Sequence, residues 1–325
     1  MANVSGAGTL WNLPNLDGML FTPSQIQTSF VSRIGRATTV ATNEFAMSSN
    51  YLLESAAQPT ITETASLTAP TPVSYVRANE KNVNQIYQKK ISLSYAKLSN
   101  GNRLQFAEVG TSGYAYSTEP GSNPAQNELQ FQLKANLEQI RVDYEYTFLN
   151  GTYQLGTDAG TAFLSRGIIT GSTTNTVAAG SAELDKDIVD ALLVEMAANG
   201  AFAMGGSMVI YANAFQIKKL NDIYGFAPTS QTVGGTGVNQ IVTPFGIFEI
   251  VYNPRVPADT ILFANMGACS VVFQPVPGKS TVESNMVFEP LSKTGASEDW
   301  QLFGQLGVDY GSSYYHGTIT GLATS

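Results

Sequence analysis

The sequence predicts an α+β fold, and three observations predict it. Residues 123–151 repeat apolar side chains every three or four positions, as a helix with one buried face does. Several short stretches elsewhere alternate apolar and polar residues, the period of half-buried strands. With 43% apolar residues over 325 positions, the chain can bury a sizeable core. It exceeds the roughly 250 residues at which a single core stops growing, so two lobes are expected. Composition also narrows the function. Seventeen Lys and Arg stand against 25 Asp and Glu, a net charge of −8. That balance argues against a tight nucleic-acid complex built on a basic face, because phosphate affinity comes mostly from Lys and Arg.

Taken in order, the first 36 residues mix turn formers with scattered apolar residues such as Leu10, Trp11, Leu13, Phe21 and Phe30, without periodicity. They read either as an arm lying across another surface or as a leader without structure. Residues 37–98 are rich in Thr, Ser and Val, carry Pro59, Pro70 and Pro72, and offer strands but almost no helix. Thr38–Phe45 is one expected strand; Lys90–Tyr95, where Ile91, Leu93 and Tyr95 alternate with polar residues, is another. Together they make a long hairpin, marginal on its own. It completes itself either on another molecule or on a sheet of its own domain.

The helix over 123–151 has Asn123 as its cap, Pro124 in its first turn and Gln126 three residues beyond the cap. Leu129, Leu133, Leu137, Ile140, Tyr144 and Phe148 draw its stripe, and Asn150-Gly151 ends it after about 39 Å. A second helix is expected from a Ser181 cap, with Leu184, Ile188, Leu192 and Met196 buried. Next come a strand at Met208–Tyr211, a third helix capped near Asn213, and a hairpin turning at Thr243-Pro244-Phe245-Gly246. Thr260–Phe263 and Ser270–Phe273 add strands. From Trp300 to Tyr310 the alternation is strict, and Gly311-Ser312-Ser313 turns the chain toward Ile319, which reads as a hairpin packed on the long helix.

Chemistry is sparse. The chain holds one histidine, His316, and one cysteine, Cys269, 47 residues apart, so a zinc site of several His or Cys ligands is excluded. A Cys–His nucleophile would need just those two to meet. Cys269 reads as a buried strand residue without a disulfide partner, and His316 as a hydrogen-bonded strand residue. Gly278-Lys279-Ser280 lacks the upstream glycine of a phosphate loop, and Gly234-Gly235-Thr236-Gly237 lacks dinucleotide spacing. Asp185, Asp187 and Asp190 favour a helix dipole rather than a cation. Glu298-Asp299 is a carboxylate pair that nothing in the sequence places in a cleft. No catalytic, metal-binding or cofactor-binding residue is nominated, and the expectation is a protein that is not an enzyme and needs no cofactor. The start of the chain lacks a secretory signal, which points to folding in the cytoplasm, and no stretch reads as a membrane span.

The order of parts carries more than any motif. Phe30-Val31-Ser32-Arg33-Ile34-Gly35, Asn84-Gln85-Ile86-Tyr87-Gln88-Lys89, Glu138 through Glu145 with Leu149-Asn150-Gly151, and His316-Gly317-Thr318-Ile319-Thr320-Gly321 follow one another as arm, strand, strut and close. In that order the chain resembles the major capsid protein of tailed bacteriophages, the Hong-Kong-ninety-seven-type shell fold also used by herpesvirus capsids. The resemblance implies an N-terminal arm (1–36), an extended loop (37–98), a peripheral domain (99–177) with its spine helix at 123–151, an axial domain (178–290) and a return to the peripheral sheet (291–325). It implies a head protein that self-assembles as hexamers and pentamers into an icosahedral shell around double-stranded DNA, built in the host cytoplasm and ending in the virion. Portal, scaffolding and decoration proteins would be further partners, contact with DNA would be weak, and no membrane is involved. The competing reading is a structural protein of a phage tail or a surface adhesin.

Overall fold

A computed structural model describes residues 26–51, 53, 56–95, 128–203, 205–224, 240–281, 285–293 and 295–324. After a short 3-10 turn at Val31–Arg33, the chain forms β1 (Ala37–Thr39), β2 (Glu44–Asn50), β3 (Ala78–Val83) and β4 (Gln85–Ser94). The long helix α1 (Glu128–Asn150) follows, then β5 (Thr176–Ala178), α2 (Lys186–Ala198), β6 (Met208–Ala212) and α3 (Ala214–Tyr224). Strands β7 (Gln240–Thr243), β8 (Gly246–Tyr252), β9 (Ile261–Asn265), β10 (Ser270–Phe273), β11 (Val287–Pro290), β12 (Ser297–Asp309) and β13 (Gly317–Thr320) follow, with 3-10 turns at Met266–Ala268 and Ser313–Tyr315.

The strands make a five-stranded sheet ordered β1-β10-β12-β11 with β4 along the other side of β12, a six-stranded sheet ordered β5-β13-β9-β6-β8-β7, and a separate pair, β2-β3. Strand β12 organises the first. Its ten-residue antiparallel register with β4 runs from Ser297↔Ser94 to Leu306↔Gln85. Period-2 alternation then puts Trp300, Leu302, Leu306 and Val308 on one face, beside Tyr87, Ile91 and Leu93 of β4, and all seven are buried. Helix α1 lies against that face. All six residues of its apolar stripe are buried, and Tyr144 meets Tyr87 edge-to-face with ring centroids 6.1 Å apart. Gly151 ends the helix at a crossing so close that a Cβ there would stand 2.2 Å from the Ser165 carbonyl oxygen, and only glycine fits.

The six-stranded sheet is buried on both faces at its centre. Val209, Tyr211, Leu262 and Ala264 join the core under α1, while Ile210, Ala212, Ile261 and Phe263 join a second core with α2 and α3. The two lobes therefore share β6 and β9.

Four expectations change. The single strand Thr38–Phe45 is two: β1 pairs in parallel with β10, and β2 pairs with β3. The long hairpin thus closes on β3, and β4 belongs to the main sheet. The second helix starts later, capped by Asp185, whose carboxylate accepts the Lys186 amide at 2.6 Å. Ser181 sits at φ +67°, which an extended N-cap residue does not adopt. Val189 and Leu193 replace the half-buried Ile188 in the core. Finally, β12 and β13 are not a hairpin, because they stand in different sheets. By the same topology β10 and β11, within the stretch expected to be axial, pair in the β12 sheet, while β13, expected in the peripheral return, lies in the six-stranded sheet. The expected cap residues Asn123, Pro124 and Gln126 lie outside the described residues.

Candidate assembly surfaces

The described residues that could carry chemistry have structural partners. His316 is fully buried; its Nδ1 accepts the Asn265 amide at 3.1 Å and its Nε2 lies 2.5 Å from the Tyr310 carbonyl oxygen. Cys269 is buried too, and its thiol donates to the Asn265 carbonyl at 3.4 Å. The two residues that a nucleophilic pair would require do meet at Asn265, yet burial pushes the thiol pKa strongly up and so holds it protonated. Asp185 caps a helix. Lys279 pairs with Glu289 in a surface ion pair. Asp299 takes hydrogen bonds from Ser92 at 2.5 Å and Lys90 at 2.9 Å, which lower its pKa, and Glu298 faces Lys293. Among the described residues no group of three or more His, Cys, Asp or Glu could hold a metal ion, and no helix is long and apolar enough to cross a membrane. The glycine-rich loop at 234–237 lies outside the described residues.

What the molecule does display is an arm. Between β2 and β3 the described residues hold one helical turn, Glu63–Ser66, capped by the Thr62 hydroxyl, and no strand. Every described side chain from 56 to 79 is exposed. They include Ile61, Leu67, Val73, Tyr75 and Val76, with Leu67 at 85% exposure. Five large apolar side chains left in water on one segment point to a contact surface.

The base of the arm is fixed. Asn82 is fully buried; its amide donates to the Arg166 and Val308 carbonyls at 3.0 and 2.8 Å, and its carbonyl accepts the Arg166 amide at 2.8 Å. The Glu80 carboxylate accepts the Ser313 hydroxyl at 3.0 Å. Lys81 and Glu44 pair across the two strands at 3.2 Å, and a register shift between Ala46 and Ser48 bends them. A rigid root with an unburied tip suits docking on something outside the chain.

A second segment, 26–36, is seated on the body. Phe30 is fully buried with its ring edge-to-face on Tyr211 at 5.5 Å. Its amide and that of Val31 donate to the two Glu145 carboxylate oxygens, each at 2.8 Å, and Asn253 donates to the same carboxylate at 2.6 Å. Arg33 reaches Glu249 with two bonds of 2.6 and 2.7 Å. Burial raises the Glu145 pKa against the pull of those donors. Glu145 enters the sequence reading only within the stretch 138–145, with no role given to it. Its spacing, next to Tyr144 and three before Phe148, puts it at the margin of the apolar stripe.

A family model described as SU10 major capsid protein matches residues 3–323. No curated protein matches the chain. Among solved structures, a chain of the cyanophage A-1(L) capsid superposes with a TM-score of 0.68 at 11% identity, covering 95% of this chain and 97% of that one. The SrpI encapsulin of Synechococcus elongatus PCC 7942 gives 0.57 at 11% identity, covering 95% and 94%. A chain of the cyanophage P-SCSP1u capsid gives 0.52 at 10%, covering 97% and 94%. At such identities the likeness speaks for the fold.

Proposed function

Because the chain belongs to the SU10 major capsid protein family and is thus a shell-forming major capsid protein, we propose that its exposed arm builds the shell by docking on a second copy. One observation supports this above the others: the side chains at 56–79 are exposed although many are apolar. Covering Ile61, Leu67, Val73 and Val76 would contribute about 1.5–3 kcal/mol each. The gross gain, on the order of 8 kcal/mol, exceeds what a two-stranded arm can hold alone. Contacts of this kind, between unlike patches, pass from copy to copy and give rings where the rotation closes.

The working parts follow from the sheets. The five-stranded sheet with α1 as spine would be the peripheral domain, and the six-stranded sheet with α2 and α3 the axial domain facing the centres of hexamers and pentamers. Segment 26–36 is the described part of the N-terminal arm. Closed, the shell would be icosahedral and hold phage double-stranded DNA, which a subunit of net charge −8 meets weakly. Assembly in the host cytoplasm, with portal, scaffolding and decoration proteins as further partners, completes the reading. A catalytic role forms no part of it, and the tail or adhesin reading gives way to the family match.

The experiment is direct. Purified chain should form closed particles hundreds of ångströms across by electron microscopy. Deletion of residues 50–78 should leave circular dichroism and thermal midpoint within a few degrees of the full chain while closed particles disappear. Normal particles from the deletion would overturn the role of the arm.

A further inference from the structure

A shell is a surface, and one kind of contact between unlike patches makes only rings or filaments. Closing a surface takes at least one more contact of a different kind. The arm supplies one. Outside it, the large exposed apolar side chains of the described helices and strands stand one to an element, as with Ile86 and Val194, except at the β7–β8 hairpin. There Val242, Phe245 and Ile247 are 77%, 40% and 59% exposed.

That face is built. Ile241 and Phe248, at 4% and 1% exposure, point into the second core and fix the strand parity. Their neighbours Val242 and Ile247 must then point outward, directly opposite each other in the register. A water-facing strand surface is normally polar. The tip is rigid: Thr243 Oγ accepts the Phe245 amide at 3.3 Å and donates to the Gly246 carbonyl at 3.0 Å. Phe245 stacks on Phe202 with centroids 5.5 Å apart. Strand β7 is also the outer strand of its sheet, so its far edge has no strand partner among the described residues.

Charge says what covers it. Residues 240–248 (Gln-Ile-Val-Thr-Pro-Phe-Gly-Ile-Phe) carry no charged side chain in a chain of net charge −8. Two copies repel one another in general and approach at least electrostatic cost across an uncharged face. The hairpin lies in the six-stranded sheet, whereas the arm is rooted beside the five-stranded one at Val308 and Ser313. The two patches can serve different neighbours.

We infer that Val242, Phe245 and Ile247 form a lateral contact that seats a second copy of this chain, separate from the arm contact. This rests on the shell-subunit reading above. Particles formed by the full-length chain should show slowed hydrogen exchange over 240–247 relative to dissociated subunits. The double substitution Val242→Asp with Ile247→Asp, at two solvent-exposed positions, should leave the circular dichroism of the subunit unchanged and lower particle yield at least tenfold. Equal exchange over 240–247 in particles and subunits would overturn the inference, and needs no variant. So would full particle yield from the double variant, or protection of 240–247 that appears only when a different protein copurifies. Failure of the wild-type chain to form particles at all would instead strike the shell reading.

Discussion

His316 shows how one buried side chain ties the molecule to pH. It follows the crossover from β12 to β13, and its ring joins Tyr310, just past β12, to Asn265, the last residue of β9. Accepting at Nδ1 and donating at Nε2 requires the neutral ring. Burial lowers its pKa from 6.5 to about 4, with the Tyr310 hydrogen bond opposing in part. A base with a depressed folded pKa stabilises the fold fully above pH 6.5 and loses that contribution as pH falls through about 4, here about 3 kcal/mol in all. Glu145 and Asp309, whose pKa values burial raises, act in the opposite sense, their contribution growing as pH falls. Comparison with His316→Gln isolates the histidine. Urea midpoints of dissociated subunits taken from pH 7 down to 4.5 should fall more steeply for wild type than for the variant; parallel lines would contradict the assignment. The sequence suggested a hydrogen-bonded strand residue here, and the structure places the ring just before β13, with its bonds reaching to another sheet. Spacing alone carries no information about which strand lies across.

Among the elements, α1 was the most legible, because six apolar residues at helical spacing leave little choice of face. Strand β12 was nearly as clear, since Trp300, Leu302, Leu306 and Val308 share one parity and fix its buried face despite Phe303 on the other. Sheet membership was not, and the expected hairpin of β12 with β13 failed for that reason: period 2 identifies a strand but not its partner. The splitting of Thr38–Phe45 has the same origin. Glu145 adds a polar joint whose place at the margin of the stripe is legible but whose partners are not; it caps from a distance the short turn whose own N-cap, Phe30, offers no side-chain acceptor. Glu145→Gln replaces one carboxylate oxygen by an amide NH2, so either the Phe30 or the Val31 amide would face another donor. An unmet buried donor costs about 1–3 kcal/mol. Exchange at the Phe30 and Val31 amides should therefore quicken about tenfold or more, with the amides of α1 unaffected. Unchanged exchange at both would show that Glu145 does not hold the segment.

For the whole molecule, the order of arm, strut, compact sheet and returning strands was readable along the chain, whereas the joining of its two lobes was not. The length argued for two cores, and two exist, but β6 and β9 send alternate side chains into each. Val209 faces the core under α1 and Ile210 the core under α2 and α3, one peptide bond apart. Neither core can lose its packing without exposing the back of a strand the other requires, so cooperativity should extend across both. Val209→Ala and Ile210→Ala each leave a cavity, the second costing about 2–5 kcal/mol. If the lobes were independent, each substitution would lower only its own half of a two-step melt. With shared strands, both should move one transition of the dissociated subunit downward by several degrees, with fluorescence and far-ultraviolet circular dichroism coinciding. Two separable transitions, each answering to one substitution, would mean that the shared strands do not couple the cores. In the proposed shell, force applied at the hairpin edge would be borne by the same sheet that packs under α1, so a contact made by one lobe would be backed by the stability of both.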